Sequence, residues 1–234
     1  MSMLREWMKR IVAGAALMMV VGAPALAATE KADMYPLDTC PVSGKKLGSM
    51  GEAVVKVYDG REVRFCCDGC PANFEKDQAA SLAKLDQAII DAQSKDYPLT
   101  TCINSGKDLG ASPASFVIGN RLVKTCCGNC QKKVEASEAE FLEKHAAAIV
   151  EKESAAYPSK TCPVSGEELG KMGEPVNIVI GNKLVKLCCA SCEKTVAKDP
   201  AKQVNAVWGA ASSEAEAPAA APESKPKGAE KRNE

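Results

Sequence analysis

The stretch Cys66-Cys67-Asp68-Gly69-Cys70 indicates the organisation of this chain, because its Cys-Cys-x-x-Cys pattern occurs three times in 234 residues. Its other copies, with the same cysteine spacing, are Cys126-Cys127-Gly128-Asn129-Cys130 and Cys188-Cys189-Ala190-Ser191-Cys192. A further cysteine, which follows a Tyr-Pro pair, precedes each copy; these cysteines are Cys40, Cys102 and Cys162. All 12 cysteines fall in these positions. A fixed period of this kind predicts tandem copies of one structural unit.

The repeat units are predicted to cover residues 28–96, 97–156 and 157–208. Residues 1–27 have the pattern of a signal peptide, because basic residues precede an apolar run that ends in Ala25-Leu26-Ala27, a typical cleavage site. The apolar run is shorter than the ~20 residues that span a bilayer. We therefore expect a secreted or periplasmic protein with no membrane association after cleavage. Residues 209–234 have no apolar period, which predicts a disordered tail.

Each unit contains the pattern of a β-hairpin. In the first unit, two β-rich runs, Val54 to Tyr58 and Glu62 to Cys66, flank Asp59-Gly60. Gly119-Asn120 and Gly181-Asn182 stand at the same place in the other units. Two-residue turns of this composition supply the positive φ that a tight hairpin needs, so we predict one hairpin in every unit.

A helix is predicted after the hairpin of each unit. Asp77, Ser137 and Asp199 are candidate N-caps in matching positions. Glu140 is placed to complete a capping box with Ser137, and Pro200 suits a first helical position. The predicted fold class is therefore α+β: a cysteine-bearing turn, a hairpin, and a helix whose first turn carries the remaining cysteines.

The cysteine spacing favours a metal site in every unit. The turn and the helix start can converge on one point, and the free N–H groups of a helix start stabilise a thiolate, the form that binds Zn²⁺ and Cu(I). The spacings are Cys40-x25-Cys66-x3-Cys70, Cys102-x23-Cys126-x3-Cys130 and Cys162-x25-Cys188-x3-Cys192. An extra cysteine follows each middle one directly; these are Cys67, Cys127 and Cys189. All twelve are candidate metal ligands.

At these residues the chain resembles the YHS and TRASH-like family of small treble-clef metal-binding domains. The resemblance is carried by the Cys-Pro knuckle of Cys40-Pro41-Val42-Ser43-Gly44 and by Phe65-Cys66 with Cys70. It implies three treble-clef-like units that bind metal in heavy-metal trafficking, sensing or resistance, without catalysis. Many family members have a second knuckle cysteine where this chain has a serine, at Ser43, Ser105 and Ser165. A site of three thiolates suits Cu(I), Hg(II), or Zn²⁺ with a fourth ligand, which the adjacent cysteine could supply.

Two other interpretations of the cysteines stay open. Four cysteines in a small exported domain are also typical of two disulfides, which would make the protein a disulfide-stapled adaptor. Alternatively, Cys67-x-x-Cys70 and its counterparts are redox pairs of a thiol–disulfide oxidoreductase. The units are too short for a thioredoxin framework, which disfavours the second alternative.

Other side chains are expected to be structural. Met50 and Met172 are predicted to fill the core, and His145 is predicted to pack on a helix stripe between Leu142 and Ile149. The basic residues of the hairpins are predicted to be solvated strand positions; they are Arg61, Arg64, Arg121, Lys124, Lys183 and Lys186.

The overall composition excludes several function classes. Thirty basic and thirty acidic residues cancel, so the basic surface typical of nucleic-acid binding is not expected. The single histidine disfavours hydrolases of the Ser-His-Asp type. We therefore expect a non-enzymatic protein whose partners are metal ions, Zn²⁺ or Cu⁺, and a metal-transport or other periplasmic protein.

Overall fold

The structure, a computed structural model, describes residues 33–212. It has a mixed α+β fold of three small hairpin-plus-helix units, as predicted. The prediction of a single helix after each hairpin is wrong, because a short helical segment carries the third cysteine and a separate, longer helix begins after Asp77, Ser137 or Asp199. The first unit contains β1 (Val54–Tyr58), β2 (Arg61–Phe65), α1 (Gly69–Glu75) and α2 (Gln78–Ser94). The second contains β3 (Ala114–Ile118), β4 (Arg121–Thr125), α3 (Gly128–Glu135) and α4 (Glu138–Ser154). The third contains β5 (Val176–Ile180), β6 (Lys183–Leu187), a 3₁₀ turn (Ala190–Cys192), α5 (Glu193–Val196) and α6 (Pro200–Ser212).

The three predicted hairpins are confirmed, each as a two-stranded antiparallel sheet. In the first turn both residues have positive φ, 50° at Asp59 and 75° at Gly60. In the other turns the glycine carries the positive φ, 59° at Gly119 and 58° at Gly181. The turn residues therefore supply the backbone conformations that short hairpins require.

The predicted helix starts are confirmed at all three positions, and two of them have a side-chain cap. The carboxylates of Asp77 and Asp199 accept hydrogen bonds from the backbone N–H groups of Ala80 and Lys202, and α6 begins at Pro200. The capping box of Ser137 and Glu140 is wrong, since the Ser137 side chain makes no capping hydrogen bond. Glu140 instead pairs with Lys144 one turn later, at 2.6 Å.

Each long helix packs against the hairpin of the following unit. α2 contacts β3 and β4, and α4 contacts β5 and β6. Each of these hairpins has a fully buried leucine at the same position, Leu122 in the second unit and Leu184 in the third. Val117 packs against the core of the first unit. Successive units are thus joined in a row by apolar contacts that local sequence patterns do not reveal. The first and third units also contact each other, since Met34 packs against the core of the third.

Side-chain hydrogen bonds to strand carbonyls reinforce the row. Asn120 Nδ2 donates to the carbonyl of Glu62, at 2.8 Å. Asn182 Nδ2 donates to the carbonyl of Leu122, at 2.9 Å. At the matching carbonyl of the third hairpin the donor is Trp208 Nε1 in α6, which lies 2.8 Å from the oxygen of Leu184. Trp208 therefore donates to the Leu184 carbonyl in the way that the turn asparagine of the following unit does in the first two hairpins.

The prediction that the basic hairpin residues are solvated is wrong. Arg64 is buried and donates to the carbonyls of Ala197 and Lys198 in the third unit. Arg61 pairs with Asp86 and Arg121 with Asp33, at 2.6 and 2.5 Å. Lys124, Lys183 and Lys186 are half-buried, each with its ammonium over an aromatic ring. Contacts between distant elements, rather than solvent, surround these charges.

Within residues 33–212, none of the helices is long and apolar enough to cross a membrane. The last helix extends past Trp208 to Ser212. The predicted signal peptide and the rest of the predicted tail lie outside the described residues.

Candidate metal centre

Each unit brings three cysteines together. Within every group the sulfur atoms all lie within 4.8 Å of one another. The groups are Cys40, Cys66 and Cys70; Cys102, Cys126 and Cys130; and Cys162, Cys188 and Cys192. Eight of the nine are buried, and Cys126 is half-buried. The convergence predicted from the spacing is therefore present in all three units.

Two chain segments position each group. A tight turn holds the first cysteine: the carbonyl of Cys40 accepts from the N–H of Gly44, and its own N–H donates to the carbonyl of Lys45, both at 2.8 Å. The turns at Cys102 and Cys162 have the same bonds. The second cysteine directly follows the hairpin, and the third lies in the next helical turn. Because the hairpin links the two segments, its fixed length sets the meeting point.

The sulfur separations suit a metal ion. Sγ of Cys66 lies 3.7 Å from Sγ of Cys70, and the matching distances are 3.8 Å in the second unit and 3.7 Å in the third. A tetrahedral ion with ~2.3 Å bonds to sulfur separates its thiolates by about 3.8 Å. These pairs therefore have the spacing of ligands on one ion.

The knuckle serines also contact the sulfurs, a contact that was not predicted. The hydroxyl oxygens of Ser43, Ser105 and Ser165 lie 3.2 to 3.3 Å from the sulfurs of Cys66, Cys126 and Cys188. Each serine follows the first cysteine by three positions in every unit. That constant offset is the sequence signal that could have identified them. The serine stands beside the sulfur group where the resembled family often has a cysteine.

The fourth cysteine of each unit lies at the edge of the group. Cys67 and Cys189 are half-buried, and Cys127 is exposed. Sγ of Cys67 is 3.5 Å from Sγ of Cys70, and Sγ of Cys127 is 3.9 Å from Sγ of Cys126. Each fourth cysteine lies outside the group that contains the first cysteine of its unit. The structure thus divides each unit into three enclosed thiols and one accessible thiol.

The electrostatics of the first and third cysteines differ. Burial raises the pKa of the first cysteine, but hydrogen bonds from the knuckle serine and from backbone N–H groups outweigh it. The result is a pKa of about 7 for Cys40 and Cys102 and about 6 for Cys162. Burial, with the neighbouring sulfurs, raises the pKa of the third cysteine to about 12, 11 and 12 for Cys70, Cys130 and Cys192. The first cysteine of each group therefore offers a thiolate near neutral pH, and a cation would have to displace the proton of the third.

The fourth cysteine also has a lowered pKa. For Cys67 the main cause is a hydrogen bond with the Cys70 thiol, and for Cys127 it is the backbone N–H of Cys130. The Ser191 hydroxyl is the first cause at Cys189, where the pKa falls to about 7. The predicted effect of helix-start N–H groups on the thiols is thus present at this accessible position.

Two of the remaining sequence predictions have different outcomes. His145 is fully buried, as predicted; its ring stacks on Phe141 and its Nε2 lies 3.1 Å from the Tyr97 hydroxyl. Burial, with the nearby Arg121 charge, lowers the pKa of His145 to about 3. The prediction for Met50 and Met172 is wrong, because they are 55% and 63% exposed. Both belong to exposed glycine-rich loops that leave the core after Leu-Gly.

Comparison with protein-family models, with curated proteins and with solved structures gives no match. The geometry of the cysteine groups is therefore what supports a function.

Proposed function

We propose that this chain is an exported, non-enzymatic metal-binding protein that holds Zn²⁺ or Cu(I) in three treble-clef-like cysteine sites and acts in metal handling, sensing or resistance. The observation that carries the proposal is the repeated group of three mutually close, mostly buried sulfurs. Thiolate ligands select borderline and soft ions of this kind.

The position of the cysteines in the core supports a resident ion. In the first unit Cys40, Cys66 and Cys70 belong to the same buried cluster as Phe65 and Phe74. A polar or ionised group within an apolar core is costly unless it is paired or bound to metal. Small units of this size also bury little apolar surface. An ion that ties the knuckle to the hairpin and the helix would contribute to stability in each unit.

Elemental analysis of the reduced full chain, purified anaerobically and desalted, tests the proposal. We expect the enclosed groups to hold up to three equivalents of Zn²⁺ or Cu(I), one for each group of three sulfurs. Less than about half an equivalent in total on folded, reduced protein would contradict metal binding. The intact mass of the exported form tests secretion separately, since cleavage after Ala27 leaves Ala28 as the first residue.

Substitutions in the first unit provide a matched pair. Cys40→Ser should remove one equivalent, because it leaves two of the three enclosed sulfurs. Cys67→Ser should only weaken binding there, because the three enclosed sulfurs remain. Equal metal content of Cys40→Ser and the unsubstituted protein would refute the assignment of these ligands.

A thiol–disulfide oxidoreductase is the second candidate, since Sγ of Cys67 and Sγ of Cys70 lie only 3.5 Å apart. In that case Cys67 and Cys70 are the reacting pair and Cys40 is a bystander. Insulin reduction should then be lost in Cys67→Ser and retained in Cys40→Ser, the reverse of the order for metal content. Alkylation of freshly isolated protein with and without chelator distinguishes both candidates from a disulfide-stapled adaptor, which has few free thiols in either condition.

A further inference from the structure

The third unit contains a second, complete triangle of sulfurs. Sγ of Cys189 lies 3.8 Å from Sγ of Cys188 and 3.8 Å from Sγ of Cys192, and those two sulfurs are 3.7 Å apart. The centre of such a triangle is about 2.2 Å from each sulfur, close to the ~2.3 Å of a metal–thiolate bond. This triangle shares the Cys188–Cys192 edge with the enclosed group that also contains Cys162.

We propose that the third unit binds a second Cu(I) in the triangle of Cys188, Cys189 and Cys192, with Cys188 and Cys192 bridging the two ions. The inference rests on the proposed function, because the first ion occupies the enclosed group. It assigns Cys189 to a separate ion rather than to the fourth position of a single tetrahedral site.

The arrangement of the four sulfurs favours two ions. A single tetrahedral ion needs four mutually close sulfurs, yet Cys189 is not in the group that has Cys162 as its third member. Cys189 instead completes a triangle on one edge of that group. Two faces that share an edge suit two ions with bridging thiolates.

The geometry favours Cu(I) over Zn²⁺ in the second triangle. Zn²⁺ in protein sites is almost always four-coordinate, whereas Cu(I) is soft, accepts three thiolates and is commonly bridged by them. Each thiol that enters the cluster as a thiolate releases one proton, so no oxidant or reductant is consumed. Cys189 is half-buried while Cys188 and Cys192 are buried, so the second ion would lie on the solvent side.

The fourth cysteines of the other units also lie near the enclosed sulfurs. In the first unit, the short contacts join Cys70 to Cys66 and to Cys67, at 3.7 and 3.5 Å. In the second, they join Cys126 to Cys130 and to Cys127, at 3.8 and 3.9 Å. In the third unit all three sides of the triangle are short contacts, and the proposal is made for this unit. Asn177→Ala, an exposed change in the hairpin of the same unit, is the control for Cys189→Ser, because it leaves all four sulfurs in place.

Anaerobic titration of the reduced full chain with Cu(I), against a competing chromophoric chelator and with native mass spectrometry, tests the proposal. We expect Cys189→Ser to bind one Cu(I) ion fewer than the unsubstituted protein, and Asn177→Ala to bind the same number as the unsubstituted protein. The bridged pair should also give a short copper–copper distance in X-ray absorption, which Cys189→Ser should lose.

The possible failures are distinguishable. If the unsubstituted protein and Cys189→Ser bind the same number of Cu(I) ions, the second triangle is not a site and the inference is overturned, even if Cys189→Ser binds more weakly. If the unsubstituted protein binds no metal, the proposed function itself fails. Zn²⁺ content checks that Cys189→Ser is folded, because three equivalents should remain in both proteins.

Discussion

The first hairpin and the two later hairpins have the same local structure but opposite surroundings. In the first, the turn residues Asp59 and Gly60 are exposed, and Val57 is 59% exposed. In the third, the matching turn is buried and Leu184 is completely buried. The difference arises because the long helix of a preceding unit covers the second and third hairpins. The fold of the repeated unit is thus constant, and the packing of neighbouring units determines which residues of its hairpin are buried.

The residues of the first hairpin suit its position at the start of the row. Glu62 stands where the later hairpins have the buried Leu122 and Leu184, and Gly60 stands where they have the buried Asn120 and Asn182. Among the described residues no unit precedes the first hairpin, so a leucine at position 62 would have no covering helix to pack against. The sequence differences between units therefore lie at the contacts between successive units, here called the joints. The cysteines are common to all three units.

The largest expected effect is at a buried leucine under a covering helix. Leu184→Ala should lower the free energy of unfolding by about 2–5 kcal/mol, because it leaves a cavity beneath α4. Val57→Ala changes an exposed position of the first hairpin and should cost less than about 1 kcal/mol, since that side chain is 59% exposed. Denaturant unfolding of both variants at equal metal content measures the difference. Similar losses would show that the joints do not stabilise the row.

A smaller effect is expected at the turn asparagine. Asn182→Ala removes hydrogen bonds to the Leu122 carbonyl and to Gln93 Oε1, of 2.9 and 2.8 Å. Leaving these buried acceptors with fewer partners should cost about 1–3 kcal/mol. Asn177→Ala, an exposed change on the same hairpin, is the control and should stay within about 0.5 kcal/mol of the unsubstituted protein. Equal shifts in the unfolding midpoint of the two variants would contradict a role of Asn182 in the joint.

The fold of one unit and its cysteine groups could be predicted from sequence because both depend on short-range features. Asp59-Gly60 and its counterparts specify hairpins through backbone conformation, and the fixed offset between Cys66 and Cys70 puts both beside the end of a strand. The knuckle cysteine is brought to the same point by a hairpin of nearly constant length. These parts need no knowledge of how the units pack.

The contacts between units could not be predicted, since their partners are far apart in the chain. Arg64 follows the alternation of a solvated strand position, yet its acceptors are 133 and 134 residues away. Met50 and Met172 have the composition of core residues, but the loops that carry them turn towards solvent. The hydrophobic period of a segment indicates the secondary structure that it prefers. The packing of the units against one another determines which neighbours each side chain has.

The joint between the first two units and the joint between the last two use different side chains in the same role. Gln93 Oε1 accepts from the backbone N–H of Leu122 at 2.8 Å. At the matching place Glu153 Oε2 accepts from the N–H of Leu184 at 2.6 Å, and Lys183 Nζ lies 3.3 Å from Glu153 Oε1. Burial raises the pKa of Glu153, and the Leu184 N–H and the Lys183 charge offset only part of this. The acceptor of the Leu122 N–H is therefore a neutral amide, whereas the acceptor of the Leu184 N–H can ionise.

The smallest expected effect is a pH dependence confined to the second joint. The unfolded chain loses the Glu153 proton near its ordinary pKa of 4.5, whereas the folded protein keeps that proton to higher pH. In this window the unfolded state binds fewer protons, so the contribution of Glu153 to stability falls as pH rises through the raised pKa. Glu153→Gln keeps an oxygen acceptor for the Leu184 N–H and cannot ionise, so this fall should disappear from its unfolding free energy measured between pH 4 and 7. Glu151→Gln removes the same charge from an exposed position of α4 and separates a general charge effect from the effect of the buried carboxyl. If Glu153→Gln and the unsubstituted protein have the same pH profile, the carboxyl does not weaken the joint, and the two joints are equivalent despite their different side chains.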